Sequence, residues 1–153
     1  MHIDHIGIVS KNLIKSIKHW ETVFNYKQKT EIIINTRQKV KVVFLEKKDS
    51  TLIKLIEPTD ESSSIYTFAQ KGGGLHHLCF KCESLSDTIE EMSQKGLRVL
   101  VPPQPGEAFD NKDIAFIYAK QGLNIELIDT KIKAGLITDP ELFHRAVEPS
   151  EDN

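Results

Sequence analysis

What most limits the folds open to this chain is that it contains itself twice. Ile3-Asp4-His5-Ile6-Gly7-Ile8 is answered 72 residues later by Leu75-His76-His77-Leu78-Cys79-Phe80. Held without a gap, the same offset pairs Leu13 with Leu85, Ile17 with Ile89, Trp20 with Met92 and Phe44 with Phe116. It also pairs Leu52-Ile53-Lys54-Leu55-Ile56-Glu57 with Asn124-Ile125-Glu126-Leu127-Ile128-Asp129. A register kept over two whole modules marks a tandem duplication. With 153 residues in all, each half is close to the lower limit for folding alone, so the two copies are expected to share one core.

Within each copy the order of elements follows from periodicity. Ile3 to Val9 alternates as a strand, and Ser10 or Asn12 can cap a helix with apolar positions Leu13, Ile17, Trp20, Val23 and Phe24. Three strand-like runs follow, Lys29 to Asn35, Lys39 to Glu46 and Thr51 to Glu57, which gives β-α-β-β-β. The second copy repeats it with strand Leu75 to Cys82, helix Leu85 to Lys95, and strands around Leu97 to Val101, Ile114 to Tyr118 and Asn124 to Asp129. The boundaries read as module one over 1–58, a linker helix within 59–74, module two over 75–130 and a tail over 131–153. Glycines 72–74 stop the linker helix, and Pro102-Pro103-Gln104-Pro105-Gly106 reads as a rigid loop at a place where a site could use a rim. The tail is expected to form a short helix on the body, then disorder from about Glu148.

Alternation also divides each strand into two faces. One face carries Ile6 and Ile8, Ile53 and Leu55, Leu78 and Phe80, and Ile125 and Leu127, an apolar surface suited to lie under helices. The opposite face places His5, Lys54, His77 and Glu126 at the middle of its strands. The offset makes His5 equivalent to His77 and Lys54 equivalent to Glu126, so twofold-related modules bring all four toward one axis. Ionisable groups on an inner sheet face must line a cavity, pair or hold a metal, because isolated buried charge costs several kcal/mol. Two imidazoles and a carboxylate are a ligand set for a divalent cation with open positions. On the same strands the alternation puts Asp4 and His76 on the helix side, which excludes them as ligands. Cys79 shares the cavity face with His77 as a wall residue. Cys79 and Cys82, three apart on a strand, face opposite ways and are not expected to pair.

The totals exclude other classes. Net charge of -2 and a pI near 6.3 give no electrostatic case for nucleic acid or an anionic membrane surface. No apolar run approaches the roughly 20 residues of a membrane span, and no secretory leader is evident, so a cytoplasmic protein is expected.

The paired Asp4-His5-Ile6-Gly7-Ile8 and Leu75-His76-His77-Leu78-Cys79-Phe80 strands, with Asn124-Ile125-Glu126-Leu127 at the end, resemble the vicinal oxygen chelate superfamily. That superfamily includes glyoxalase I, extradiol dioxygenases, bleomycin-resistance proteins and methylmalonyl-CoA epimerase. Ile56-Glu57-Pro58, Ser64-Ile65, Phe68, Lys71-Gly72 and Gly74-Leu75-His76-His77, with Gly106 and Ala115-Phe116, are most similar to the epimerase family. The resemblance implies an α+β fold of two tandem β-α-β-β-β modules forming a curved eight-stranded mixed sheet around a central cavity. It implies metal ligands at His5, His77 and Glu126, with cobalt, manganese, zinc, nickel or iron as the divalent metal. The family's fourth ligand, a glutamine or glutamate, falls on Lys54, and a second catalytic acid falls on or near Arg37. Two acidic or amide positions have become basic.

Three functional expectations follow. In the first, a metalloenzyme of isomerase or lyase type enolises a small carboxylate or acyl thioester, with Glu126 and Lys54 as catalytic residues and Arg37 and Cys79 against the substrate. In the second, the Lys54 ammonium leaves the metal site empty, and the cavity binds an anionic small molecule as bleomycin-resistance proteins do. The third is a non-haem iron dioxygenase, for which the later strands offer no further acid–base histidine. As partner a small-molecule substrate is expected, with a homodimer left open.

Overall fold

The computed structural model describes residues 1–138. Its elements run β1 (His2–Val9), α1 (Leu13–Phe24), β2 (Lys27–Gln28), β3 (Ile33–Asn35), β4 (Val40–Glu46), β5 (Leu52–Pro58) and α2 (Tyr66–Gln70). They continue with β6 (Gly74–Lys81), α3 (Leu85–Gln94), β7 (Arg98–Gly106), a 3-10 turn at Glu107–Phe109, β8 (Lys112–Tyr118) and β9 (Asn124–Ile128). All the strands join one open mixed sheet in the order β2-β4-β5-β1-β6-β9-β8-β7, with β3 also on β4.

The duplication is written into the pairing. His5 lies beside Leu52 and Gly7 beside Lys54 in the parallel β1–β5 ladder. With both numbers raised by the same offset, His77 lies beside Asn124 and Cys79 beside Glu126 in β6–β9. The two copies meet at the antiparallel β1–β6 ladder in the middle of the sheet.

The sheet has nine strands rather than eight because, where one run from Lys29 to Asn35 was expected, two short pieces pair with β4, Lys27–Gln28 just ahead of that run and Ile33–Asn35 at its end, on either side of Thr30. Thr30 is fully buried and its hydroxyl accepts the Phe44 amide at 3.0 Å, which replaces a ladder bond at the break. The proline run is a second departure. It lies inside β7 and not in a loop, and the register slips between Val99 and Val101 and again between Val101 and Gln104. β7 is an edge strand, where prolines without amide hydrogens are tolerated and bulges are common.

Three apolar clusters hold these layers. Leu13 and Ile17 of α1 bury against Val43, Leu45, Ile53 and Leu55, and Leu85 of α3 against Ala115, Ile117, Ile125 and Leu127. The third joins Val42 and Phe44 of β4 to Phe109, Ile114 and Phe116 of the far side of the sheet. Strands so distant in the sheet order share a core only if the sheet curls around it. The helices start in matching ways. Asn12 accepts the Lys15 amide and Ser84 the Asp87 amide, while the Leu13 and Leu85 amides donate to Glu57 and Asp129.

After Thr130 the chain forms no helix within the described residues. It crosses back to module one as an extended strap, with Leu136 bridged to Thr30. The end of the expected tail helix and the expected disorder lie outside the described residues. Among those residues no helix is long and apolar enough to cross a membrane.

Candidate metal centre

Three ligand atoms converge at the seam between the modules. His5 Nε2 and His77 Nε2 each lie 2.9 Å from Glu126 Oε2 and 3.2 Å from one another. Both histidines and the glutamate are at most 1% exposed. Gly7 makes the arrangement sterically possible, because a Cβ there would lie 2.2 Å from the His77 ring. Lys54 Nζ is 3.4 Å from both Glu126 oxygens and is as deeply buried. That separation exceeds the about 2.7–2.9 Å of a tight charge-assisted bond, and the ammonium also lies 5.1 Å from the Phe109 ring centroid.

The donor inventory explains what such a cluster is fit to hold. Asp4 Oδ2 lies 2.8 Å from His5 Nδ1. Burial pushes the Asp4 carboxyl up, but the His5 hydrogen bond and the Lys133 charge outweigh it and leave the pKa below its ordinary value. The ionised carboxylate only accepts, so His5 Nδ1 carries the hydrogen. In a neutral imidazole that turns the Nε2 lone pair on the Glu126 carboxylate and on His77 Nε2. For Glu126 too burial works upward, and Lys54 with hydrogen bonds from His5 and His77 holds the group well below the usual carboxylate range. Burial draws His77 down to about 3 against the pull of Glu126, so this imidazole is neutral.

Without a metal, histidine N–H groups donate to Glu126 Oε2. With Nε2 of both rings deprotonated, the three atoms, about 3 Å apart, turn lone pairs on one point where a small divalent ion can sit. His5, His77 and Glu126 therefore fit a divalent ion.

A cavity of about 500 Å³ opens onto this centre, with Lys54 and His77 among its lining residues. Val42, Ile56, Val101 and Phe116 form apolar walls, and the volume suits a small-molecule site. Arg37 and Lys39 supply positive charge, and among the described residues no aspartate or glutamate lines the cavity. Thr36, next to Arg37, is fixed by its backbone amide, which donates to Glu107 Oε1 at 2.8 Å.

The structure thus brings together His5, Lys54, His77 and Glu126, and it sets Arg37 along the cavity. Cys79 does not reach it. The residue is fully buried in the core beneath, and burial holds its thiol well above the ordinary range.

Two residues assigned to the helix side need correction. Asp4 hydrogen-bonds His5, and His76 lines the cavity with its Nδ1 2.8 Å from His77 Nδ1. The reason is a pair of β-bulges. The β1–β6 register slips between Ile3 and His5 on one strand, leaving Asp4 unpaired, and between Gly7 and Ile8, which leaves His76 unpaired on the other. A bulge interrupts the alternation on which the face assignment rested. Since Asp4 and His76 are equivalent by the repeat, the bulge is duplicated with the rest. Sequence periodicity also missed Lys133 and Glu107, because neither lies within a regular strand.

Comparison with known proteins agrees with this fold. The pattern of the Glyoxalase/Bleomycin resistance protein/Dioxygenase superfamily matches residues 4–116. The uncharacterized protein YqjC of Bacillus subtilis strain 168 is 32% identical over 136 residues, 84% of this chain and 92% of that protein. An ethylmalonyl-CoA/methylmalonyl-CoA epimerase of Cereibacter sphaeroides is 32% identical over 92 residues, 58% of this chain and 68% of its own. Among solved structures, methylmalonyl-CoA epimerase from Mycobacterium tuberculosis superposes with a TM-score of 0.75 at 27% identity, covering 93% of this chain and 91% of its own. A Streptomyces coelicolor methylmalonyl-CoA epimerase variant in complex with 2-nitronate-propionyl-CoA gives 0.76 at 26% identity, covering 86% and 98%.

Proposed function

Because this chain belongs to the Glyoxalase/Bleomycin resistance protein/Dioxygenase superfamily, we propose that it is a metal-dependent enzyme that enolises a small acyl thioester or carboxylate. The observation that carries this reading is the triangle of potential ligand atoms His5 Nε2, His77 Nε2 and Glu126 Oε2, with edges of 2.9, 2.9 and 3.2 Å. A divalent ion held there supplies Lewis acidity to a carbonyl oxygen of the substrate. His5 and His77 bind as neutral donors, and Glu126 adds one negative charge.

Lys54 Nζ stands at the cavity floor beside Glu126, where as an ammonium it would polarise the carbonyl oxygen, and as a neutral amine it would take up the proton from the carbon next to the carbonyl. The apolar walls exclude water from that carbon. Arg37 and Lys39 attract an anionic group at the other end of the substrate. Among the described residues no acidic group lines the cavity, which favours anions throughout. Relatives described as epimerases of methylmalonyl-CoA, and a relative in complex with 2-nitronate-propionyl-CoA, support acyl-CoA thioesters as the class to test.

A second reading has its own support. Lys54 and Lys133 balance Glu126 and Asp4 in charge, so the buried cluster is neutral as it stands. One solved relative is described in complex with methylmalonyl-CoA and NH4+, and here Lys54 supplies an ammonium on the chain itself. In this reading the cavity binds an anionic molecule without a metal.

The test is proton exchange in deuterium oxide with propionyl-CoA and methylmalonyl-CoA, followed by NMR. Deuterium should enter at the carbon next to the thioester with cobalt-loaded protein, and chelation or Lys54→Met should slow it at least tenfold. Tight thioester binding without exchange, unaffected by chelator, would support the second reading. Neither binding nor exchange with any thioester or carboxylate would contradict both.

A further inference from the structure

We propose that Lys133, carried by the strap that follows β9, is a positioning residue for His5 and acts through Asp4. Its side chain is only 3% exposed, and Nζ lies 3.2 Å from Asp4 Oδ2 and 3.3 Å from Oδ1. Asp4 Oδ2 is the same atom that lies 2.8 Å from His5 Nδ1. The contacts form one line from strap to centre, Lys133 to Asp4 to His5 to Glu126.

The line has a mechanical reason. Asp4 sits on a bulge, so the ladder does not fix its backbone. An ammonium reaching both carboxylate oxygens fixes the side chain instead. The carboxylate then fixes the imidazole, since a ligating histidine is oriented by what its other nitrogen donates to. With Nδ1–H directed at Asp4, His5 presents Nε2 to Glu126 and His77.

Buried ammonium groups need compensation, and Lys133 has it from Asp4 and from the rings of Phe44 and Phe109, at 5.3 and 5.1 Å from their centroids. Lys54 Nζ approaches the same two rings at 5.8 and 5.1 Å. The two cations therefore share an aromatic pair, while each has its own carboxylate.

The strap is built to deliver this side chain. The Ala134 amide donates to Ala108 in module two, and Gly135 accepts from the Glu31 amide in module one, at 2.9 and 2.8 Å. Gly135 has φ of +64°, and a Cβ there would meet Ile33 at 2.9 Å, so the turn that follows Lys133 depends on glycine. Among the described residues no such lysine pairs with a residue at the equivalent bulge, where His76 takes the place of Asp4 next to His77. The strap therefore governs one histidine of the pair.

The inference rests on the metal reading only for calling His5 a ligand. Its test has two arms, imidazole nitrogen NMR and cobalt(II) titration, on full-length wild type, Lys133→Met and Lys133→Arg. Wild type should show His5 as the single Nδ1–H tautomer. Lys133→Met should mix the tautomers and weaken cobalt binding roughly 10- to 100-fold, and Lys133→Arg should restore most of both. If Lys133→Met lowers the melting temperature but leaves the His5 tautomer and cobalt affinity unchanged, Lys133 is only a packing residue and the proposal fails. Should Lys133→Met not fold, Lys133→Gln, which removes the charge but keeps a polar end in the buried site, should shift both readouts in the same direction as Lys133→Met, and no shift in either overturns the proposal. A wild type that binds no cobalt refutes the metal reading, and the tautomer arm then decides the strap alone.

Discussion

Neutral His77 and ionised Glu126 both commit the folded protein to releasing protons that the unfolded chain retains. The folded His77 has a pKa of about 3, against about 6.5 when unfolded. Glu126 likewise sits well below its unfolded value. Between pH 6.5 and 3 the unfolded state binds more protons, so stability falls as pH drops, and one such group sets a slope of about 1.4 kcal/mol per pH unit. Chemical denaturation of metal-free protein should show stability level above pH 7 and declining from about 6.5, with a steeper fall below 4.5 as unfolded glutamate protonates. His77→Gln should remove its share of the first part of the decline and leave that of His76, which burial and the Lys54 charge also hold below its ordinary value. A flat profile from pH 7 to 5 would show that His77 is not held neutral. At this scale the sequence was legible wherever side chains alternate, as with His5, Lys54, His77 and Glu126. It misassigned Asp4 and His76, whose sides are decided by bulges that no residue type announces.

The duplicated helix starts are the clearest consequence at the scale of elements. Asp129 receives the Leu85 amide and Glu57 the Leu13 amide, one carboxylate per module reaching from the last strand of its copy. Each satisfies an amide without an intrahelical partner and meets the positive end of the helix dipole. Asp129→Ala and Ser84→Ala should each cost about 1 kcal/mol, and neither should alter cobalt affinity, since both lie on the helix face of the sheet. Thermal melts and cobalt titration of the two variants check this. A loss of metal binding in Ser84→Ala would show that α3 couples to the centre. The first helix was legible from its cap and spacing, and the helix from Leu85 from the repeat. The proline-bearing β7 was not, because Pro102, Pro103 and Pro105 read locally as a loop, and only their place on a sheet edge lets them lie in a strand.

For the whole molecule, the repeat explains both the fold and the site. Equal offsets place β1 and β6 side by side at the centre, and the groups midway along them meet because the modules are related as a pair. The duplication is not chemically symmetric, however. Lys54 opposes Glu126, Asp4 opposes His76, and the strap after Thr130 has no counterpart in the first copy. The lack of counterpart kept the strap hidden in the sequence, where comparing the halves gives no information on 131–138. These asymmetries concentrate the question of function on Lys54, which lies beside the cluster of His5, His77 and Glu126.

The measurement that bears most directly on that question is the metal content of protein purified without chelators, followed by cobalt(II) titration of wild type, His77→Ala and Lys54→Gln. The account predicts one divalent ion per chain in wild type, its loss in His77→Ala, and binding at least as tight in Lys54→Gln, where an amide removes a neighbouring positive charge. Wild type that takes up no cobalt, with Lys54→Gln equally unable to bind it, would contradict the assignment of His5, His77 and Glu126 as a metal centre.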